Sequence, residues 1–246
     1  MKLAIDIGNT SISCGVFFNK KIIKRISLSS LDALHIFLTE INDLEISKII
    51  ISSVVPNLNK KYHKILSKKY SCPIIFIDYP MSNVQTIVPN PDTIGADRLC
   101  NICSATKLYK SPLIIIDFGT ATTYDVINSK DIFVGGIIAP GIETSAKYLI
   151  NDAALLSNTE LKFPKNVIGT NTEENIQSGI MFGAVAQIEG IIKRIQAETN
   201  THYSIILTGG FSELLSTNFS IKHIKDKDLT IKGIIYIDET NNKLTT

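Results

Sequence analysis

At 246 residues, with 44% hydrophobic and 20% charged residues, the chain has an ordinary globular composition, long enough to bury a sizeable core in one large domain or two modest ones. A formal net charge of +2 argues against a large nucleic-acid footprint. No apolar run approaches a membrane span, MKLAIDIGNT enters a strand at once rather than reading as a signal peptide, and the four cysteines (Cys14, Cys72, Cys100, Cys103) form no disulfide framework, so a reduced, cytoplasmic protein is expected.

The first half reads β-β-β-α-β-α-β. Strands are predicted over 2–7, 12–18 and 22–28, a helix over 31–41 and a strand over 48–55. A helix over 57–69 carries Lys60, Lys61, Lys64, Lys68 and Lys69, which suit a solvated face or a patch for acidic partners. A buried strand over 73–77 follows, then an extended loop over 86–93 marked by Pro89 and Pro91. That loop leads to Gly95-Ala96-Asp97-Arg98 at the start of a helix ending near Tyr109. An adjacent acid and base there has two readings. One is a favourable charge at the helix N-terminus with a surface ion pair. The other is a carboxylate base beside a guanidinium that holds an anionic substrate. Cys100 and Cys103 lie within this helix with no second pair and no nearby His, which favours core packing over zinc or redox chemistry.

The second half opens on LIIIDFGTATTYDV, residues 113–126: a buried strand, a turn, and a returning strand expected from Tyr124. A third strand is predicted over 131–139, with Gly135-Gly136 and Pro140-Gly141 before a helix over 142–156. The N-terminus of that helix could face an anion or be a plain turn. Gly169-Thr170-Asn171-Thr172 precedes a long helix over 173–198, in which Gly179 and Gly183 suggest close helix packing. A strand over 204–208 ends at Gly209-Gly210, a close-approach site suited to an adenosine face, and a short helix over 211–216 follows. Residues 231–237 read equally as strand or buried helix, and 239–246 as a fraying end. The four His lack metal-ligand spacing, and the G-x-G-x-x-G, G-x-x-x-x-G-K-[ST] and G-x-S-x-G signatures are absent.

Two stretches share one design. Asp6 and Asp117 each stand as D-x-G at the end of an apolar strand, with a second strand after the turn. A carboxylate there is costly unless a cation or hydrogen-bond donors meet it. Glycine allows close approach, and free turn N–H groups with Thr120, Thr122 and Thr123 can receive phosphate oxygens. A duplicated turn half a chain apart predicts two related domains, 1–112 and 113–246.

Asp6-Ile-Gly-Asn-Thr10, Gly95-Ala-Asp-Arg98, Asp117-Phe-Gly-Thr-Ala-Thr-Thr123, Gly135-Gly136 with Pro140-Gly141, and Asn171-Thr172 together resemble type III pantothenate kinases, of the acetate and sugar kinase, Hsp70 and actin superfamily. The resemblance runs from Asp6 to Gly210. It implies an α/β fold of two ribonuclease H-like domains with an ATP cleft between them, the actin-like ATPase fold. It implies ATP-dependent phosphorylation of pantothenate, the first step of coenzyme A synthesis, by a homodimer with no nucleic acid or membrane partner. ATP would meet the first turn (Asp6, Ile7, Gly8, Asn9, Thr10, Ser11, Ile12 and Ser13) and Thr120 of the second. Asp6 would face Mg²⁺ through water, and Asp117 would bind a monovalent cation, K⁺ or NH₄⁺. Asp97 would be the general base, with Gly95, Ala96 and Arg98 cradling pantothenate and Thr172 reaching it from the second subunit.

Two departures stand out. Val88 lies where the family often has a substrate-touching Tyr, which bears on pantothenate affinity. Cys14 lies where some members have a phosphate-reaching Lys, which would leave more phosphate charge to metal and backbone N–H groups. The competing readings are a nucleotide-binding accessory protein of the same fold, a kinase for another small hydroxy acid, and a phosphatase of the superfamily. A pure binding module has no use for Asp97 and Arg98 together at a helix start.

Overall fold

The computed structural model describes residues 1–28, 31–151 and 160–244. The chain divides into two compact units: Met1–Leu108 with Asp228–Thr246, and Tyr109–Lys227.

In the first unit, β1 (Lys2–Ile7), β2 (Ile12–Phe18), β3 (Lys21–Leu28), β4 (Lys48–Ser53) and β5 (Ile74–Phe76) form one sheet in the order β3-β2-β1-β4-β5. The first three run antiparallel, and β4 and β5 run parallel to β1. Strand side chains alternate between faces. Leu3, Ile5, Ile7, Ile12, Cys14, Val16, Ile49 and Ile51 meet Phe37 and Leu38 of α1 (Leu31–Glu40) and Tyr62 and Leu66 of α2 (Pro56–Lys69). The intervening residues, Ala4, Asp6, Ser13 and Ser52 among them, belong to the opposite face. On this sheet pack α4 (Ala96–Leu108) and α8 (Leu229–Leu244); the short α3 (Tyr79–Ser82) lies against both.

The last helix therefore joins the first unit, which corrects the expected 113–246 domain. Residues 231–237 are helical, and buried nearly all round, because α8 meets both the sheet and α4. That burial erases the one-sided periodicity by which sequence tells helix from strand. Three ties fix α8. Asp238, fully buried, accepts from Lys2 Nζ at 2.7 Å and pairs with Lys48 Nζ at 2.5 Å, at the starts of β1 and β4. Burial favours the neutral acid, but the two lysines outweigh it and hold the carboxyl below its ordinary range. Thr230 Oγ1 donates to Asn101 Oδ1 of α4 at 2.8 Å. Gly233 lies directly on the backbone of Cys100. The expected fraying from 239 is not seen: the helix runs to Leu244.

In the second unit, β6 (Leu113–Phe118), β7 (Ala121–Ile127), β8 (Phe133–Pro140), β9 (Ser204–Gly209) and β10 (Ile224–Lys225) form a sheet in the order β10-β9-β6-β7-β8. Antiparallel β6-β7-β8 and parallel β6-β9-β10 repeat the first sheet strand for strand. One face packs on α5 (Ile142–Asn151), α6 (Thr172–Thr199) and α7 (Ser212–Ser216), through Ile114, Ile116, Phe118, Tyr124 and Leu207 against Ile142, Ile180, Met181, Ile188 and Leu215. α6 starts where sequence puts it because Asn171 caps it, its side chain accepting from Glu174 N at 3.0 Å. The Glu174 carboxylate accepts from the Thr170 N–H and hydroxyl at 2.8 and 2.9 Å.

Three expectations shift. β7 begins at Ala121, not Tyr124, because the turn after Phe118 is tight, with Gly119 N bonded to Ala121 O at 3.1 Å. β8 begins at Phe133, because Asp131 (φ 60°) closes a turn held by the Asn128 side chain. Gly179 and Gly183 meet nothing within 4 Å of where a Cβ would stand, so they serve no close packing among the described residues. The end of the helix predicted over 142–156 lies outside the described residues beyond Asn151.

Candidate active site

The Asp6 turn is built by the β1–β2 hairpin. Gly8 N donates to Ser11 O at 2.9 Å, closing a turn that leaves Asn9, Thr10 and Ser11 exposed. Ile7 and Ile12 turn their side chains into the core, so only their backbone can serve a ligand. Ser13 Oγ lies 3.5 Å from Ser27 Oγ. Cys14 is also a core residue, its thiol pushed up chiefly by burial and then by the Asp6 charge. Its side chain is buried in the core and not exposed at the turn.

Asp6, at the last turn of β1, accepts a hydrogen bond from Ser52 Oγ at 2.8 Å. Ser52 is fully buried and stands beside Asp6 in the parallel β1–β4 register. Cys100, fully buried on α4, lies near enough to Ser52 for that hydroxyl to act on its thiol. Burial above all, then the charges of Asp6, Cys103 and Asp97, holds its thiol protonated. The first unit thus links the phosphate-type turn to the helix that carries Asp97, one turn before Cys100.

Asp97 opens α4, and its Oδ1 accepts from the Arg98 N–H at 2.7 Å. A side chain at Gly95 would bring its Cβ to 2.5 Å from that same oxygen, so the carboxylate holds this place over a glycine and would have to shift over any larger residue. Burial pushes the Asp97 carboxyl above its ordinary value; the Arg98 N–H and guanidinium oppose this without cancelling it. A carboxylate made more basic this way suits proton abstraction near neutral pH. Ala96 is buried and Arg98 half-buried. Val88 is half-buried in the preceding loop, its N–H on Thr86 Oγ1 at 3.0 Å.

The second unit repeats the turn. Asp117 is the penultimate residue of β6, with Thr123 of β7 and Thr208 of β9 as its register neighbours. Gly209, at φ 85°, would place a Cβ 2.4 Å from Asp117 Oδ1, a position open only to glycine. Of the threonine cluster, Thr120 alone is an exposed turn residue. Its carbonyl accepts from Gly141 N at 3.1 Å and Thr144 Oγ1 at 2.7 Å. Thr122 is buried, and the buried Thr123 hydroxyl has no hydrogen-bond partner among the described residues. Thr172 is the exposed first residue of α6. Among the described residues, no group of three or more His, Cys, Asp and Glu side chains is placed to hold a metal, and no helix is long and apolar enough to cross a membrane.

Sequence reading missed Ser52, while the core packing expected of Cys100 and Cys103 is what the structure has. The available signal was Ser52-Ser53, which breaks an apolar strand at its carboxyl end, where open α/β sheets place ligands.

A family model described as type III pantothenate kinase matches residues 2–194. A type III pantothenate kinase from Agathobacter rectalis is 37% identical, over 99% of this chain and 98% of its own. One from Halalkalibacterium halodurans is 35% identical, over 98% of this chain and 100% of its own. Among solved structures, a Campylobacter jejuni protein described as a Baf family transcriptional activator superposes with TM-score 0.63 at 22% identity, covering 98% of this chain and 99% of that one. The ADPNP-bound activator of 2-hydroxyisocaproyl-CoA dehydratase from Clostridium difficile does so at TM-score 0.59 and 12% identity, covering 99% and 97%. At those identities the structures speak to fold alone, and that fold is the two-domain α/β architecture of actin-like ATPases.

Proposed function

The chain belongs to the type III pantothenate kinase family, and from that premise we propose how its own residues carry out the reaction. It is an ATP-dependent kinase that phosphorylates pantothenate to 4′-phosphopantothenate, opening coenzyme A biosynthesis. It uses ATP and a divalent metal, as kinases do.

The observation that carries the residue assignment is the desolvated Asp97 carboxylate in the same unit as the Asp6 turn, tied to it through Cys100 and Ser52. We assign Asp97 as the general base. It orients the primary hydroxyl of pantothenate and takes its proton as the new O–P bond forms and the bond from the γ-phosphorus to the β,γ-bridging oxygen breaks, releasing ADP. Phosphoryl transfer passes through a loose transition state, so the proton moves late and positioning outweighs nucleophile activation. Gly95, Ala96 and Arg98 shape the acceptor site, with the Arg98 guanidinium available to the pantothenate carboxylate or polar chain.

ATP phosphates are assigned to the N–H groups and hydroxyls of the exposed residues 9–11 and the Gly8 backbone, with backbone help from Ile7 and Ile12, an edge contact at Ser13, and a further contact at Thr120. Mg²⁺ is commonly held by one or two carboxylates together with substrate phosphates, a role that Asp6 fits through water. Asp117 fits K⁺ or NH₄⁺: its carboxylate meets the backbone at Gly209, and the orphan Thr123 hydroxyl beside it in register supplies a second oxygen. Both cations would offset charge on the phosphate oxygens.

A coupled ADP-release assay with Mg-ATP and pantothenate tests this. Release should require pantothenate and rise when sodium is replaced by potassium or ammonium. Activity indifferent to the cation would reject the Asp117 assignment; no pantothenate-dependent release would reject the acceptor.

A homodimer is part of the same reading. On α6, Gly179, Gly183 and Gly190 are exposed, and among the described residues nothing lies within 4 Å of where a Cβ would stand, a surface that lets a second backbone approach. Sedimentation should give twice the 27.1 kDa chain mass, and Gly183→Leu should shift it toward monomer without lowering helix content. A fully active monomer would remove Thr172 of a second copy from the substrate site.

A further inference from the structure

The two sheets set each D-x-G aspartate in the same row. In the first, Asp6 lies between Ser13 of β2 and Ser52 of β4; in the second, Asp117 lies between Thr123 of β7 and Thr208 of β9. Each carboxylate at the end of its strand is thus flanked by a hydroxyl residue on both neighbouring strands. A serine on a buried parallel strand is an odd choice for packing alone, since the rest of that stretch is Ile49, Ile50 and Ile51. In the first row one contact is made outright: Ser52 Oγ donates to Asp6 Oδ1 at 2.8 Å. Ser13 is turned toward Ser27 instead. Ser52 is fully buried, so this contact is shielded from bulk solvent. Ser52 also lies near the Cys100 thiol, so it stands between α4 and the phosphate turn.

We propose that Ser52 is a positioning residue for nucleotide binding: its hydroxyl holds the Asp6 carboxylate in the one orientation that receives the metal-bound water of Mg·ATP. The proposal rests on the assignment of Asp6 made above. Partners that orient a metal-facing group cost about 10- to 100-fold in metal affinity or activity when removed. One donor to a carboxylate that meets the metal only through water belongs at the lower end.

The test is calorimetric titration of ATP with Mg²⁺ and with EDTA into the full-length parent, Ser52→Ala, Ser52→Thr and Asp6→Asn, alongside steady-state kinetics. Ser52→Ala should weaken Mg·ATP binding about 10-fold and leave metal-free ATP binding and the KM for pantothenate unchanged. Ser52→Thr keeps the hydroxyl and should bind Mg·ATP like the parent, and it decides the matter if the alanine variant does not fold. Equal weakening with and without Mg²⁺, or equal loss in the Ala and Thr variants, would reduce Ser52 to a packing residue and overturn the proposal. Parent-like Mg·ATP binding by Ser52→Ala would overturn it too. Asp6→Asn separates the two failures: if it also leaves the metal dependence untouched, the assignment of Asp6 is wrong; if it alone shifts it, only the role of Ser52 is.

Discussion

Asp97→Asn should lower kcat by about 10²- to 10⁴-fold while ATP still binds and the melting temperature holds or rises. The activity loss follows from the base role. An amide keeps the oxygen that accepts the Arg98 N–H but cannot take a proton from the substrate hydroxyl. The stability result follows from the sign of the titration. Burial raises the folded-state pKa of Asp97 above its unfolded value, so the native state holds the proton more tightly. Stability associated with this group is therefore present at acid pH and declines as pH climbs from the ordinary aspartate range through the raised folded value. At neutral pH the charged carboxylate is a net cost, which the neutral amide removes. The same shift fixes the pH profile: the acid limb of kcat/KM in the parent should sit above the ordinary aspartate range and vanish from the residual activity of Asp97→Asn. Near-parent turnover in this variant would take Asp97 out of the base role. A large fall in melting temperature would show that its charge serves the fold instead.

The part of this site that sequence exposes is the part made within a few residues. The Asp6 and Asp117 turns are hairpins whose strands, glycine and hydroxyls are contiguous, so their chemistry shows in a short window. The Asn171 cap shows for the same reason. The reading of the threonine cluster shifts one step further on: a two-residue turn and a longer one look alike until the register is known, and that register sends Thr122 to the buried side while Thr123 stays beside Asp117. What escapes entirely depends on distant strands. Ser52 meets Asp6 across 46 positions, through a parallel pairing that has no local turn to announce it. Gly209 lies against Asp117 for the same reason, and sequence marks it only as a place of close approach. The return of α8 to the first unit is more distant still, with Thr230 bonded to Asn101 across 129 positions. The hydrophobic pattern says that residues 231–237 are buried; it cannot say against what.

That return carries the other large expectation. Gly233→Ala should destabilise the fold by about 3 kcal/mol and cut kcat by about 100-fold in the protein that remains folded. A Cβ on residue 233 would stand 2.0 Å from the carbonyl oxygen of Cys100, 2.5 Å from its carbonyl carbon and 2.8 Å from its Cα. Ordinary contact needs about 3.5 Å or more, so the helices must part by on the order of 1 Å. Nothing flexible can yield, because every atom met is helix backbone. α8 cannot retreat cheaply either, since Asp238 is held by Lys2 and Lys48 and Ile231 is packed at Gly15. The strain therefore falls on α4, which carries Cys100 and, one turn earlier, Asp97. A base displaced by about 1 Å can cost two orders of magnitude in rate, whatever its pKa. Thermal denaturation and kinetics on the same sample separate the two effects: the melting temperature should fall by about 10 °C, and kcat should be low well below the transition. If Gly233→Ala loses stability but turns over normally when cold, α4 is not the helix that gives way, and the placement of Asp97 does not depend on α8.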